Sequence, residues 1–233
     1  MPSLADSYEA MLESLEALGP PFPPISTNEP GIVFAVLTGT LLSRMFAARQ
    51  ARTTWEAFHA AGFNSPEVVA RADLAQLVEA TQKLDAPLKP LSAKTLMPLH
   101  LLAKWIVDQG GLDALDDIPT EQLRDDLLMI PGISPAMTDA LLLYGLKRPV
   151  YPVDRPTYRI LARHGWIDPT TDYEEARASI EGLAQGDVVV LSSLAAWFDR
   201  VGELYCRARV AICEGCPLEP FLPETGPLDV KAE

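Results

Sequence analysis

Leu127-Leu128-Met129-Ile130-Pro131-Gly132-Ile133-Ser134, followed by Ala140-Leu141-Leu142, is the stretch on which the fold turns. One apolar stripe ends, a tight turn Pro131-Gly132-Ile133-Ser134 intervenes, and a second apolar stripe begins. This predicts a helix over Thr120–Met129, introduced by Pro119, and another from about Pro135 to Tyr144. Glycine at 132 lets the backbone bend without interference from a Cβ. Such a turn aims free backbone N–H groups at the start of the second helix, a ready site for an anion such as a DNA phosphate. The same pattern also describes a plain helix–helix connection in an all-α core. Spacing alone leaves both readings open.

Outward from that turn, almost every apolar segment recurs at helical spacing. Tyr8, Met11, Leu15 and Leu18 mark an amphipathic helix closed by Gly19 and Pro20-Pro21. Pro20–Pro30 reads as a Pro-rich linker, and Gly31–Gln50 as one strongly apolar, buried helix. Trp55–Ala61 is a short helix, Ser65-Pro66-Glu67 is a helix start with Ser as N-cap, and Ala72–Lys83 continues helically. Pro87 and Pro90 break the chain before a long helix, Ser92–Gln109, that Gly110-Gly111 ends. Asp154–Arg163, Tyr173–Gly182 and Ser192–Val210 complete the set, while Val188–Leu191 is a β-branched run too isolated for a sheet. The expected class is all-α.

Bulk properties bound the function. The 233 residues are 48% apolar, enough for a proper core in one large or two small domains. No apolar run approaches the roughly 20 residues needed to cross a bilayer. The start Met1-Pro2-Ser3-Leu4-Ala5-Asp6 lacks a basic and then apolar leader, so a cytoplasmic protein without membrane partners is expected; a monomer is expected as well. A net charge of −13 argues against nucleic acid, because phosphate binding rests on Lys and Arg. Its distribution softens the objection. The acidic residues of 1–30 and 217–233 account for eight of the excess negative charges, whereas Lys147, Arg148, Arg155, Arg159 and Arg163 face only Asp154 over 144–165. A basic patch is expected there. All three cysteines, Cys206, Cys213 and Cys216, fall in one short segment, which fits a local metal or cluster site better than a secreted disulfide framework.

Several motifs together resemble the endonuclease III branch of the helix-hairpin-helix DNA glycosylases. Ile130-Pro131-Gly132-Ile133-Ser134 is similar to the family's LPGVG hairpin. Pro152-Val153-Asp154-Arg155-Pro156-Thr157-Tyr158-Arg159 is similar to its VDxxxxR motif, and Asp154 stands 18 residues after Ala136, at the family interval. Gly202 precedes Cys206 by four residues, and Cys206-x6-Cys213-x2-Cys216 matches the first three cysteines of the family's iron–sulfur loop. Phe34-Ala35-Val36-Leu37 and Leu91-Ser92-Ala93-Lys94 resemble its IAVLLSAQ and YxxKA segments. The likeness spans roughly residues 7–222.

The resemblance implies two all-α lobes with a groove between them: a six-helix barrel over 28–148 containing the hairpin, and a second lobe combining 1–27 with 149–233 and carrying the cysteine loop. Pocket and Asp154 would lie where the lobes meet. Double-stranded damaged DNA would be the partner, gripped by Gly132, Ile133 and Ser134, by Arg207 and Arg209 in the cysteine loop, and by Leu41 as an apolar wedge in the gap left by an extruded base. A leucine buried in an apolar helix is the alternative for Leu41. Ser134 replaces the hairpin's second glycine, and its Cβ would hinder backbone approach to phosphate.

Asp154 precedes a helix with Pro156 in its first turn, so capping that helix is one role. The resemblance adds a catalytic one: stabilising positive charge developing at the sugar and activating the attacking group. Ala136 occupies the place of the family's lysine nucleophile, so lysine-dependent strand cleavage is expected to be absent or very weak. That leaves a hydrolytic glycosylase, with two alternatives: a weak or inactive binder of damaged DNA, and a protein-interaction module using the acidic surface. The fourth cysteine position is held by Leu222. The expected cofactor is an iron–sulfur cluster that shapes a basic loop, either four-iron with a non-cysteine fourth ligand, for which Glu219 and Glu224 are the nearest carboxylates, or three-iron. An empty, apolar loop and a zinc site are the other options.

Overall fold

A computed structural model describes residues 3–19, 31–82 and 91–230. Among them the regular structure is helical, apart from one isolated antiparallel bridge between Cys206 and Ala211. The expected linker Pro20–Pro30 and the break at Pro87 and Pro90 lie outside the described residues. No helix is long and apolar enough to cross a membrane among the residues described. The chain divides into two compact units, one of Met1–Ile25 with Pro149–Glu233, the other of Ser26–Arg148.

The second of these units holds α2 (Ile32–Met45), α3 (Ala48–Ala60), α4 (Pro66–Arg71), α5 (Leu74–Gln82), α6 (Ala93–Asp108), α7 (Thr120–Leu128) and α8 (Pro135–Ala140). Helix α8 continues directly into a π-helical turn, Leu141–Gly145. Helix α2 packs against α3, α8 and the π turn, while α6 packs against α4 and α5. Phe34, Leu37, Leu41, Leu42, Phe58, Leu77, Leu96 and Leu99 form the fully buried core of this unit. The helix starts obey local chemistry. Ser65 and Ser92 accept from the backbone N–H of Val68 and Thr95, and Asp73 and Gln76 cap each other's backbone.

Two sequence expectations change here. The single helix Gly31–Gln50 is two helices, because Phe46 is extended (φ −133°, ψ 159°) and α3 starts at Ala48. Folding α3 back lets the Trp55 indole N–H donate to the carbonyl of Ala35 at 3.2 Å, a contact one straight helix cannot make. The helix expected over Ala72–Lys83 is split off from α4 by an extended Ala72.

The other unit holds α1 (Leu4–Glu16), α9 (Arg155–Arg163), α10 (Tyr173–Ala184) and α11 (Val188–Leu204). A capping box between Ser3 and Asp6 starts α1, whose buried face is Leu4, Ser7, Tyr8, Met11 and Leu15. That face packs on α11, and the Trp197 indole donates to the carbonyl of Gly19 at 3.0 Å. The β-branched run Val188–Leu191 opens α11 instead of forming a strand. Asp187 accepts from the N–H groups of Val189 (2.8 Å) and Val190 (3.1 Å), and this cap, together with burial of Leu191, outweighs β propensity.

Candidate nucleic-acid interface and cysteine loop

The hairpin joins α7 to α8. Gly132 sits at φ +91°, and a Cβ there would stand 2.6 Å from Cγ of Pro98, so both backbone conformation and packing demand glycine. Ile133 donates to the carbonyl of Ile130 at 3.1 Å to close the bend, and both isoleucine side chains point inward. Pro131, Gly132, Ser134 and Pro135 remain exposed. The hydroxyl of Ser134 caps α8 by accepting from the Met137 N–H. Its Cβ is thus part of a working helix cap.

A buried ion pair that the sequence reading missed bolts the two hairpin helices together. Arg124 Nε donates to Asp139 Oδ1 at 2.7 Å and Nη2 to Oδ2 at 3.3 Å, with Asp139 0% exposed. The available signal was Arg124 standing between Leu123 and Leu127 on the apolar face of α7. Met129, at the hairpin entrance, is 82% exposed and was also missed as a candidate contact. Leu41 requires a correction: it is fully buried in α2, so its side chain fills the core and is not displayed as a wedge. Ala136 is partly exposed on α8 and offers only a methyl group.

In the other unit Asp154 caps α9, its Oδ1 accepting from the Thr157 N–H at 2.9 Å. Its side chain is neither buried nor fully exposed. Gly202 on α11 lies against Pro156, where a Cβ would meet the proline Cβ at 2.6 Å, so that glycine permits α11 to seat on α9 behind Asp154. The hairpin and Asp154 therefore belong to different units.

The expected basic patch over 144–165 is only partly a surface. Arg148 Nη2 donates to the carbonyls of Leu115 and Asp116 at 2.8 and 2.9 Å. Arg159 grips the Cys206 carbonyl through Nε (3.1 Å) and Nη2 (2.8 Å). Arg163 is buried, donating to Cys206 Sγ (3.3 Å) and to the carbonyls of Arg207 (2.7 Å) and Ala208 (3.0 Å). These guanidiniums saturate loop carbonyls, which is why the charge does not collect at the surface. Lys147 and Arg155 are exposed, as are Arg207 and Arg209 in the cysteine loop.

That loop brings Cys206, Cys213 and Cys216 to one cavity of about 20 Å³, room for about one water, with Arg163, His164, Glu219 and Leu222 among the other lining residues. Burial pushes the thiols of Cys213 and Cys216 up from the usual range, so a metal would have to displace their protons. Leu222 offers no donor atom. Glu219 turns a carboxylate oxygen to the Gly215 N–H at 3.1 Å. Both ring nitrogens of His164 face backbone carbonyls, of Ile160 at 2.7 Å and Leu218 at 3.2 Å. Among the described residues no group of three or more histidine, cysteine or acidic side chains is arranged to hold a metal ion. Sharing a cavity is thus a weaker condition than sharing a ligand sphere, and the donor set does not fit the expected cluster.

No family model matches the chain. It is 30% identical over 144 residues to a candidate DNA repair glycosylase of Methanocaldococcus jannaschii, covering 60% of this chain and 65% of that protein. It is 29% identical over 203 residues to the chloroplastic endonuclease III homolog 1 of Arabidopsis thaliana, covering 82% of this chain and 48% of that protein. The chain thus spans less than two thirds of either relative's own length. The solved structure of a non-covalent endonuclease III–DNA complex superposes with a TM-score of 0.69 at 16% identity, over 94% of this chain and 95% of that one. The chain thus has the fold of the endonuclease III structure and is similar in sequence to a DNA repair glycosylase and an endonuclease III homolog.

Proposed function

We propose that this chain is a base-excision DNA glycosylase that acts by hydrolysis on double-stranded damaged DNA. The observation that carries the reading is the exposed bend at Pro131–Ser134, whose geometry only glycine at 132 allows, in a chain with the endonuclease III fold. Its exposed backbone is suited to a phosphate, with Gly132, Ile133 and Ser134 as the gripping segment. Met129 beside it, together with Arg207 and Arg209, supplies further contact groups.

In this reading the damaged nucleotide leaves the stack to meet Asp154. As the bond from C1′ to the base breaks, its electron pair leaves with the base and the sugar becomes cationic. The Asp154 carboxylate stabilises that charge and takes a proton from the attacking water, whose oxygen bonds to C1′; the departing base is protonated from solvent. Ala136 cannot form a Schiff base, so the abasic product leaves with its strand intact. No step passes through the cysteine loop.

Base release from a panel of damaged duplexes tests this, alongside Asp154→Asn. Asparagine caps helices about as well as aspartate, so the variant removes charge and basicity while keeping α9 in place. Release is expected to fall by roughly 100-fold or more. Undiminished release in the variant ends the assignment of Asp154. The alternative of a binder without activity is favoured by Ala136 and by the burial of Leu41. It predicts salt-dependent binding to an abasic duplex with no release from any substrate.

A further inference from the structure

A second cavity, of about 390 Å³, opens in the Ser26–Arg148 unit between the start of α2, the end of α3 and the turn before α4. That size falls within the range of about 300–1,000 Å³ usual for small-molecule sites. Nothing in the DNA reading uses it: its lining contains neither hairpin residues nor Asp154.

The walls are of three kinds. Trp55 and His59, one helical turn apart on α3, stack with ring centroids 5.4 Å apart at 28°. The Trp55 indole is fixed by its hydrogen bond to the Ala35 carbonyl. Phe63 stands edge-on to the fully buried Phe58, at 5.9 Å and 86°, so the aromatic lining is braced from behind. The second kind is an orphan. Thr38 is 4% exposed, lines the cavity, and its hydroxyl has no hydrogen-bond partner among the described residues. Other helical threonines here bond back to the preceding turn, as Thr53 does to Arg49 and Thr81 to Val78. A buried hydroxyl without a partner is unusual and calls for one. The third is the first turn of α2, where Gly31 provides no side-chain cap and the leading N–H groups lack intrahelical partners.

We propose that this cavity binds a planar heteroaromatic molecule about the size of a purine base, stacked on the aromatic wall. Its ring acceptors receive the Thr38 hydroxyl and the α2 N–H groups. Flat aromatic surface selects a flat ligand, and the Thr38 hydroxyl selects an acceptor atom on its edge. The inference is independent of the DNA reading, since either stands if the other fails.

The test titrates free adenine into the full chain while following the Trp55 indole N–H signal by NMR, with cyclohexanol as a non-planar control of similar bulk. Saturable perturbation of that signal by adenine and none by cyclohexanol is expected. Thr38→Val, which keeps the side-chain shape, should weaken adenine binding by about 2- to 10-fold. His59→Ala, at an exposed position where folding is safe, should weaken it as well. Absence of saturable binding overturns the proposal. So does binding that both variants leave unchanged, since adenine would then sit elsewhere, and so does equal binding of cyclohexanol.

Discussion

The Arg124–Asp139 pair is the most exacting test of how the hairpin is held. Its geometry is bidentate, its carboxylate is fully buried, and it joins two helices whose only covalent link is the exposed bend. Removing one partner leaves a buried charge uncompensated, at a cost of about 3–5 kcal/mol. For a chain of this size each kcal/mol lowers Tm by roughly 2–4 °C, so Asp139→Leu or Arg124→Met should lower it by about 6–20 °C. Replacing both, as Arg124→Met with Asp139→Leu, removes the desolvated charges along with the attraction and should recover most of the loss. Thermal unfolding followed by circular dichroism for the four members of this cycle gives the coupling energy directly. Single variants that each cost under about 1 kcal/mol, or a double variant whose loss is simply additive, would show that the pair does not clamp the hairpin.

Two further outcomes concern the cysteine loop. Burial holds the His164 imidazole below its ordinary value of 6.5, outweighing the opposing effect of the two carbonyls. The unfolded chain therefore binds a proton more readily than the folded one, and stability should be intact above about pH 6.5 and fall as pH drops below it. His164→Gln should flatten that slope in a Tm-versus-pH series, and a slope unchanged by the substitution would locate its origin elsewhere. Because Arg163 closes the loop through three acceptors, Arg163→Met should cost on the order of 3 kcal/mol or more, whereas a metal chelator should leave Tm and the visible spectrum unaltered. Broad sulfur-to-iron absorption in freshly purified protein, lost with the fold on chelation, would refute the arginine account.

Features legible in the sequence were those set by neighbours three or four residues apart. Ser65 with Pro66, Ser92, Asp154 with Pro156, and Pro131-Gly132 announce their helix starts and their bend because cap and capped N–H are close in the chain. Breaks imposed from a distance were not legible. Nothing in Arg44-Met45-Phe46-Ala47-Ala48 resembles a stop signal, and the chain turns there because α3 must reach α2, through Trp55 and Ala35. Asp187 shows the converse: a local cap overrides the β-branched run that follows it.

The arginines show the same limit with more consequence. A run of cations read along the chain suggests a surface for phosphate, but charge counted by position takes no account of direction. Arg148, Arg159 and Arg163 turn toward carbonyl oxygens that helix ends and loops would otherwise leave unsatisfied, and a guanidinium with its planar fork of donors is the side chain suited to that task. Three cations of a chain with a net charge of −13 are thus used internally, while Lys147, Arg155, Arg207 and Arg209 stay exposed. The exposed bend itself is fixed by the contact of Gly132 with Pro98 and by the buried ion pair behind it. In the proposed function, that bend would offer a phosphate a contact of fixed geometry, with the exposed cations as separate contacts.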